Sequence, residues 1–206
     1  MTSENFTEAE AEIRDRLIWI HESKDTEELK NRYNVWAPMY EADLGKSWQI
    51  MPMNAAILLK QLLPHEEIVI LDAGAGSGMV GEALAQQGYK NITAIDLSEQ
   101  MLKIARKKQI YKELQPANLE QPLTFLAQAS FDAVLAIGVF TYGHVSPTGL
   151  DNLLPLLKPG GIFILTVRLS NQPMQEAFTK LPWTLISKQE YLFEGAPFYI
   201  LAYRKN

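Results

Sequence analysis

One stretch, IVILDAGAGSG at residues 68–78, restricts the architecture more than any other part of the chain. Its first half, IVILDA, is apolar without alternation and ends on Asp72 and Ala73. A strand of that kind must be covered on both faces, as central parallel strands are. The glycine-rich run follows at once, and then a helical pattern with apolar positions Val80, Ala83 and Leu84 and with Gly88 placed as its C-cap. Strand, glycine loop and helix in this order predict one unit of a doubly wound α/β sheet. Such sheets bind ligands beyond the carboxyl ends of their strands, where these glycines lie.

The alternation continues. NITAID at 91–96 predicts a second strand, and Ser98 caps a helix containing Met101, Leu102 and Ala105. YKEL at 111–114 predicts a short third strand, FDAVLAIG at 131–138 a fourth and IFILTVR at 162–168 a fifth. Ser146 and Pro147 start a helix through LDNLLPLL, with Pro155 disturbing its far end. WTLI from Trp183 and FYILAY from Phe198 predict an antiparallel pair. The first sixty residues read as helices. Thr7 caps one with Ile13, Leu17 and Ile20 on its apolar face, and residues 25–37 form a second with Leu29, Tyr33 and Trp36, ended or kinked by Pro38. A third follows Ser47, with Ile50, Met53, Ile57, Leu58 and Leu62 facing inward, until Pro64 stops it. The expected organisation is a helical preface and lid over 1–64 and a ligand-binding core over 65–206, packed as one compact domain.

Composition narrows the function. The 206 residues contain no cysteine, which excludes disulfides, thiolate metal ligands and a cysteine nucleophile. His21, His65 and His144 are scattered, so no metal is expected. The formal net charge is −5, and the densest basic run, Lys103, Arg106, Lys107 and Lys108, reads as a solvated helix end rather than a nucleic-acid stripe. The polar, acidic opening MTSENFTEAEAE is unlike a signal peptide, and no apolar stretch is long enough for a membrane span. These features predict a cytoplasmic protein.

Glycines between strand and helix let a cofactor lie against the backbone. A dinucleotide fingerprint would read GxGxxG, whereas here the spacing is GxGxG with Asp72 before it. A sulfonium cofactor carries positive charge and an amino group, which makes nearby carboxylates reasonable. Asp96, eighteen residues beyond Gly78, ends the second strand, where a carboxylate can accept from both ribose hydroxyls. That role serves nicotinamide and S-adenosylmethionine proteins alike. Leu97 and Met101 are placed to pack on an adenine, although Met101 is equally a core residue.

Four segments together, ILDAGAGSG at 70–78, AIDLSEQML at 94–102, FDAVLAIGVFTYGHV at 131–145 and LLPLLKPGG at 153–161, resemble a class I S-adenosylmethionine-dependent methyltransferase. RYNVWAPMYEADL at 32–44, GVFTYGHV at 138–145 and KPGGIFILTVR at 158–168 bring the chain nearer to the methyltransferase-like proteins of the Williams–Beuren syndrome region and their bacterial relatives. The resemblance implies a Rossmann-like, seven-stranded, mostly parallel sheet with a final antiparallel strand and an N-terminal helical cap. It implies that Gly74, Gly76 and Gly78 cradle the methionine portion, with Ala75 where relatives often carry cysteine, and that Asp96 holds the ribose. Asn118-Leu119 stands where relatives have an acidic residue and leucine for the adenine amino group. Asn118 retains a carbonyl acceptor for that bond. Ile137, Gly138 and Val139 would border the sulfonium.

Methyl transfer asks the protein for alignment and, where the acceptor must lose a proton, for a base. His144 is the candidate base and Tyr142 a candidate for orienting the acceptor. Tyr33, Trp36 and Tyr40 are candidates for closing the pocket beside the sulfonium. Arg168 either meets an acidic substrate group or forms a surface salt bridge. The reading is an S-adenosylmethionine-dependent methyltransferase with a small-molecule acceptor, acting as a monomer or weak homodimer. The alternatives are a protein or nucleic-acid methyltransferase and a non-catalytic cofactor-binding module.

Overall fold

The computed structural model describes residues 8–140, 145–168, 172–193 and 196–206. Four helices come first: α1 (Glu8–His21), α2 (Thr26–Trp36), α3 (Tyr40–Trp48) and α4 (Ile50–Leu62). The alternating part follows as β1 (Val69–Ala73), α5 (Met79–Gln86), β2 (Asn91–Asp96), α6 (Glu99–Lys107), β3 (Glu113–Pro116), β4 (Phe131–Phe140) and α7 (Pro147–Leu153). β5 (Leu157–Arg168), α8 (Gln172–Thr179), β6 (Thr184–Phe193) and β7 (Ala196–Arg204) complete it. The strands form one seven-stranded sheet in the order β3-β2-β1-β4-β5-β7-β6. β1 to β5 run parallel, and β7 pairs antiparallel with both β5 and β6. This is the doubly wound architecture expected from the sequence, with its antiparallel tail. Strand order reverses between β1 and β4, and the crevice opens where the chain leaves their carboxyl ends in opposite directions.

β1 shows why its run of apolar residues does not alternate. Ile70 and Leu71 are both fully buried, on opposite faces of the sheet. Ile70 joins the cluster with Leu58, Leu59 and Leu84, whereas Leu71 joins the one with Phe140, Leu150 and Phe163. Each such side chain contributes about 1.5–3 kcal/mol on burial.

Several boundaries differ from the sequence expectation. β3 begins at Glu113 rather than at Tyr111, because the Tyr111 hydroxyl is drawn back to Asp72. β5 begins at Leu157, since KPGG continues the strand through a register shift instead of turning before it. Pro155, which lacks an N–H, ends α7 early, and Leu154–Leu156 form a 3-10 turn. α4 buries Met51, Ala55, Leu58 and Leu59, leaving Ile50 and Ile57, seven residues apart on the opposite face, exposed. Periodicity did not anticipate α8, whose described apolar signal is the buried pair Met174 and Phe178. Thr7, the expected cap of α1, lies outside the described residues.

Polar links dock the helical preface on the sheet. The Ser98 hydroxyl accepts from the Met101 N–H (3.1 Å), capping α6, and donates to Asn34 Oδ1 (2.7 Å) on α2. Lys108 Nζ bridges Glu41 of α3 (2.6 Å) and Glu82 of α5 (2.5 Å). Lys103, Arg106 and Lys107 stay exposed, so the basic run is a solvated helix end with one member used as a staple. Ser98→Ala removes a cap worth about 1 kcal/mol. It is expected to lower the Tm by about 2–4 °C in thermal denaturation followed by circular dichroism. An unchanged Tm would show that the cap adds no net stability.

Candidate active site

A cleft of about 770 Å³, including its open mouth, lies at the carboxyl ends of β1, β2 and β4 beneath α2 and the start of α3. Its floor contains Gly74 and Gly76 after β1, and Asp96, Leu97 and Met101 at the end of β2 and in α6. Asn118 and Leu119 follow β3, and Ile137, Gly138 and Val139 come from β4. Tyr33 and Tyr40 line it from the helices. These twelve were all expected at the site.

The glycine loop is bound to the end of β2 through its own N–H groups. The N–H groups of Gly74 (2.8 Å) and Ala75 (3.0 Å) both go to the Ile95 carbonyl, and that of Gly76 goes to Asp96 Oδ2 (2.7 Å). All three of these N–H groups are thus taken by the end of β2. Gly74 has φ +78°, and a Cβ there would stand 2.4 Å from Val139 Cγ2. Gly76 has φ +54°, and a Cβ there would enter open space. Gly78 does not line the cleft; it packs on α6, where a Cβ would lie 3.1 Å from Ala105 Cβ. Ala75 is also absent from the lining; it is buried, and its carbonyl accepts from the Gly78 N–H (2.9 Å).

Asp96 is fixed through both oxygens. Oδ2 accepts from Gly76, and Oδ1 accepts from the Ser98 N–H (2.7 Å). Each oxygen keeps a second lone pair for a hydroxyl in the cleft. Burial raises its pKa, against the pull of those two N–H groups. Asn118 lines the cleft, but its Oδ1 already accepts from the Glu120 N–H (2.9 Å). That turn orients the amide and leaves one lone pair for an amino group.

Ile137, Gly138 and Val139 are three successive residues on one cleft, which a regular strand would not allow. A register shift between Ala136 and Phe140 and the positive φ of Gly138 (+80°) produce this. Thr166, buried on β5, accepts the Gly138 N–H at Oγ1 (2.7 Å) and holds the bulge.

Asp72 lies beneath the cleft, not in its lining. It is fully buried; Oδ2 accepts from the Tyr111 hydroxyl (2.6 Å), and Oδ1 has no partner among the described residues. Burial pushes its pKa up to about 7, the Tyr111 hydrogen bond opposes that, and the Asp96 charge adds to it. Tyr111 also accepts from the Gly81 N–H (3.1 Å), at the start of α5. Burial and the adjacent Asp72 keep its own hydroxyl protonated far above the usual range.

Trp36 does not line the cleft; it is buried in the cluster with Ile20, Leu29 and Leu44, and its indole N–H goes to Asp43 Oδ2 (2.6 Å). Arg168 stacks its guanidinium on the Phe198 ring, 4.6 Å from the centroid. His144 and Tyr142 lie outside the described residues. Thr26, Leu29, Ala117 and Val145 line the cleft without having been expected there. The signal for the first two was the spacing of Thr26, Leu29 and Tyr33, which puts all three on one face of α2. Among the described residues no group of three or more His, Asp or Glu is placed to hold a metal, and no helix is long and apolar enough to cross a membrane.

This sheet order, with a glycine loop after β1 and a carboxylate ending β2, has the form of a class I S-adenosylmethionine-dependent methyltransferase. Residues 71–165 match the methyltransferase domain family. The human Methyltransferase-like protein 27 is 31% identical over 166 residues, which cover 80% of this chain and 67% of that one. The chain belongs to the S-adenosylmethionine-dependent methyltransferases. It is also 39% identical over 111 residues to the ubiquinone biosynthesis O-methyltransferase of Caulobacter vibrioides, covering 50% of this chain and 42% of that enzyme. It thus spans two thirds of the human relative and under half of the bacterial one. The magnesium protoporphyrin IX methyltransferase of Synechocystis PCC 6803, solved with bound S-adenosylmethionine, shares the fold: TM-score 0.66 over 99% of this chain and 100% of that one, at 15% identity.

Asp72 makes a distinct pH prediction. Its folded pKa of about 7 lies above the ordinary 3.8, so its stabilising contribution is complete below 3.8 and is lost as pH rises through 7. The loss is on the order of 4 kcal/mol. Asp72→Asn keeps an acceptor for Tyr111 and cannot ionise. The ligand-free wild type should therefore lose Tm relative to this variant between pH 5 and 8. A constant difference across that range would show that Asp72 does not titrate there.

Proposed function

We propose that this chain transfers a methyl group from S-adenosylmethionine to a small-molecule acceptor at this cleft. One observation carries the reading: Asp96, the Gly74–Gly76 loop and the Ile137–Val139 bulge meet in one cleft beneath Tyr33 and Tyr40. The residues suit the cofactor. Gly76 leaves room against the backbone, and Asp96 keeps two acceptor sites and supplies negative character suited to a cation. In this reading Asp96 holds the ribose, Leu97 and Met101 pack on the adenine, and Asn118 accepts from its amino group. Ile137, Gly138 and Val139 border the sulfonium, which when bound supplies the electrophilic methyl. The protein contributes alignment and exclusion of water.

Residues 26–45 act as a lid. Gly45 interrupts α3 at φ +60° and ψ −166°, a backbone conformation nearly restricted to glycine, and thereby supplies a hinge at the lid's far end. Asn34 with Ser98, and Glu41 with Lys108, are its latches. With α2 and the start of α3 lying over it, the cleft favours a small acceptor over a folded protein or a nucleic acid. His144 and Tyr142, which follow β4 in the sequence, remain the proposed base and orienting hydroxyl.

Calorimetric titration should show saturable binding of S-adenosylmethionine and S-adenosylhomocysteine and none of NAD. NAD binding without a response to either adenosyl ligand would overturn the assignment. Asp96→Ala removes charged hydrogen bonds worth about 1.5–3 kcal/mol each. It should weaken either adenosyl ligand at least about tenfold, with the circular dichroism spectrum retained. Hydrogen exchange in peptides covering 26–45 should slow when S-adenosylhomocysteine binds. Protection confined to 72–78 would show that the roof is permanent packing.

A further inference from the structure

The sheet ends on two strands of different character. β3, at one edge, has four residues and stops at Pro116. A short edge strand that ends on proline resists the addition of another strand. β6, at the other edge, has ten residues, TLISKQEYLF, with neither proline nor glycine among them. Among the described residues it pairs with β7 alone, and no other backbone group bonds to it. Its outer row of N–H and C=O groups is thus available to a further strand. We propose that β6 pairs antiparallel with β6 of a second copy of this chain, about a two-fold axis at Gln189, and so joins two sheets into one.

The side chains of one face make the strand complementary to itself. The register of β6 on β7 shifts between Leu185 and Ser187, which leaves Ile186 as an extra residue. Leu185, Lys188, Glu190 and Leu192 therefore share a face, which reads apolar, positive, negative, apolar. A two-fold axis at Gln189 reverses this order in the second copy. Lys188 then stands opposite Glu190 of the second copy, and Leu185 opposite Leu192 of the second copy, each pair occurring on both sides of the axis. Leu192 is 75% exposed and Leu185 46%, so each offers the other apolar surface to cover. Tyr199 on β7 holds both charges in place. Lys188 Nζ lies 4.2 Å from its ring centroid, and its hydroxyl donates to Glu190 Oε2 (3.1 Å). The other face brings only the neutral Ser187, Gln189 and Tyr191 to the junction.

The same pattern fixes the register. An axis one residue earlier sets Lys188 against Lys188, and one residue later sets Glu190 against Glu190. Like charges directly opposite are destabilising. A lysine on an edge strand commonly wards off pairing; here the glutamate two residues on turns it into the pairing signal. A strand of another protein would have to reproduce this order, whereas a second copy carries it necessarily. β7 is antiparallel to both β5 and β6, so β6 runs parallel to β5. The axis therefore turns the second sheet end for end, and the two clefts open at opposite edges of the joined sheet. Association is in this way separate from the chemistry of either cleft.

The test is sedimentation velocity of the full chain over an about hundredfold range of concentration, which should show a reversible monomer–dimer equilibrium. Lys188→Glu makes every charge at the junction negative, and Glu190→Lys makes every one positive. Each should weaken the dimer at least about tenfold, with the circular dichroism spectrum retained. Mixing these two variants restores opposite charges in every pair, so they should associate with each other about as tightly as the wild type with itself. The double variant Lys188→Glu, Glu190→Lys should also dimerise. A wild type that stays monomeric overturns the proposal and leaves the edge to a strand of another protein. A dimer that neither single variant weakens, or two weakened variants that do not associate on mixing, overturns this interface.

Discussion

The carboxylate of Asp96 ties together the parts that make the cleft. Its two oxygens take the N–H of Gly76 on one side and that of Ser98 on the other. One bond holds the glycine loop against the end of β2, and the other sets the first turn of α6. From Ser98 the chain of contacts passes to Asn34 on α2, so the same carboxylate that faces the cleft also helps position the roof. Charged hydrogen bonds of this kind are stronger than neutral ones, and here they are partly sheltered from water. A ligand on the remaining lone pairs of Asp96 would therefore report to loop, helix and roof at once.

Beneath this lies a second carboxylate with the opposite character. Asp72 is fully buried, has one oxygen without a described partner and is pushed towards neutrality. Tyr111 makes the arrangement tolerable by donating to Asp72 while accepting from Gly81. Its ring lies so near α5 that a Cβ on Gly81 would meet the hydroxyl oxygen at 2.3 Å. Two of the chain's glycines, Gly78 and Gly81, thus make room for Tyr111 and α6 rather than for a ligand. The cost of the buried carboxyl falls on the ligand-free fold, and sites under functional constraint commonly carry such costs.

Much of the site was legible because it resides in short segments whose local structure is strongly determined. Asp96 and Ser98 announce a strand end and a helix cap; Gly74 and Gly76 announce a turn with close backbone approach. Trp36 and Gly78 pack away from the cleft lining, and the sequence alone does not separate packing from binding for a tryptophan or a glycine. Thr26 and Leu29 were missed because periodicity identifies a helix face without identifying what it covers. Tyr111 was read as part of a strand, since nothing local reveals that its hydroxyl reaches a residue thirty-nine positions earlier.

The sequence by itself determined the alternation of strand and helix, the two-faced burial of β1, the antiparallel tail and the position of the glycine loop at the ligand edge. All of these follow from local periodicity, caps and turns. Only the tertiary structure decided which glycine faces the cleft and which faces a helix, and that β4 bulges at Gly138 to present three successive residues. Those outcomes depend on contacts between segments far apart in the chain, where the available space and the competing hydrogen-bond partners, not local propensity, select the result.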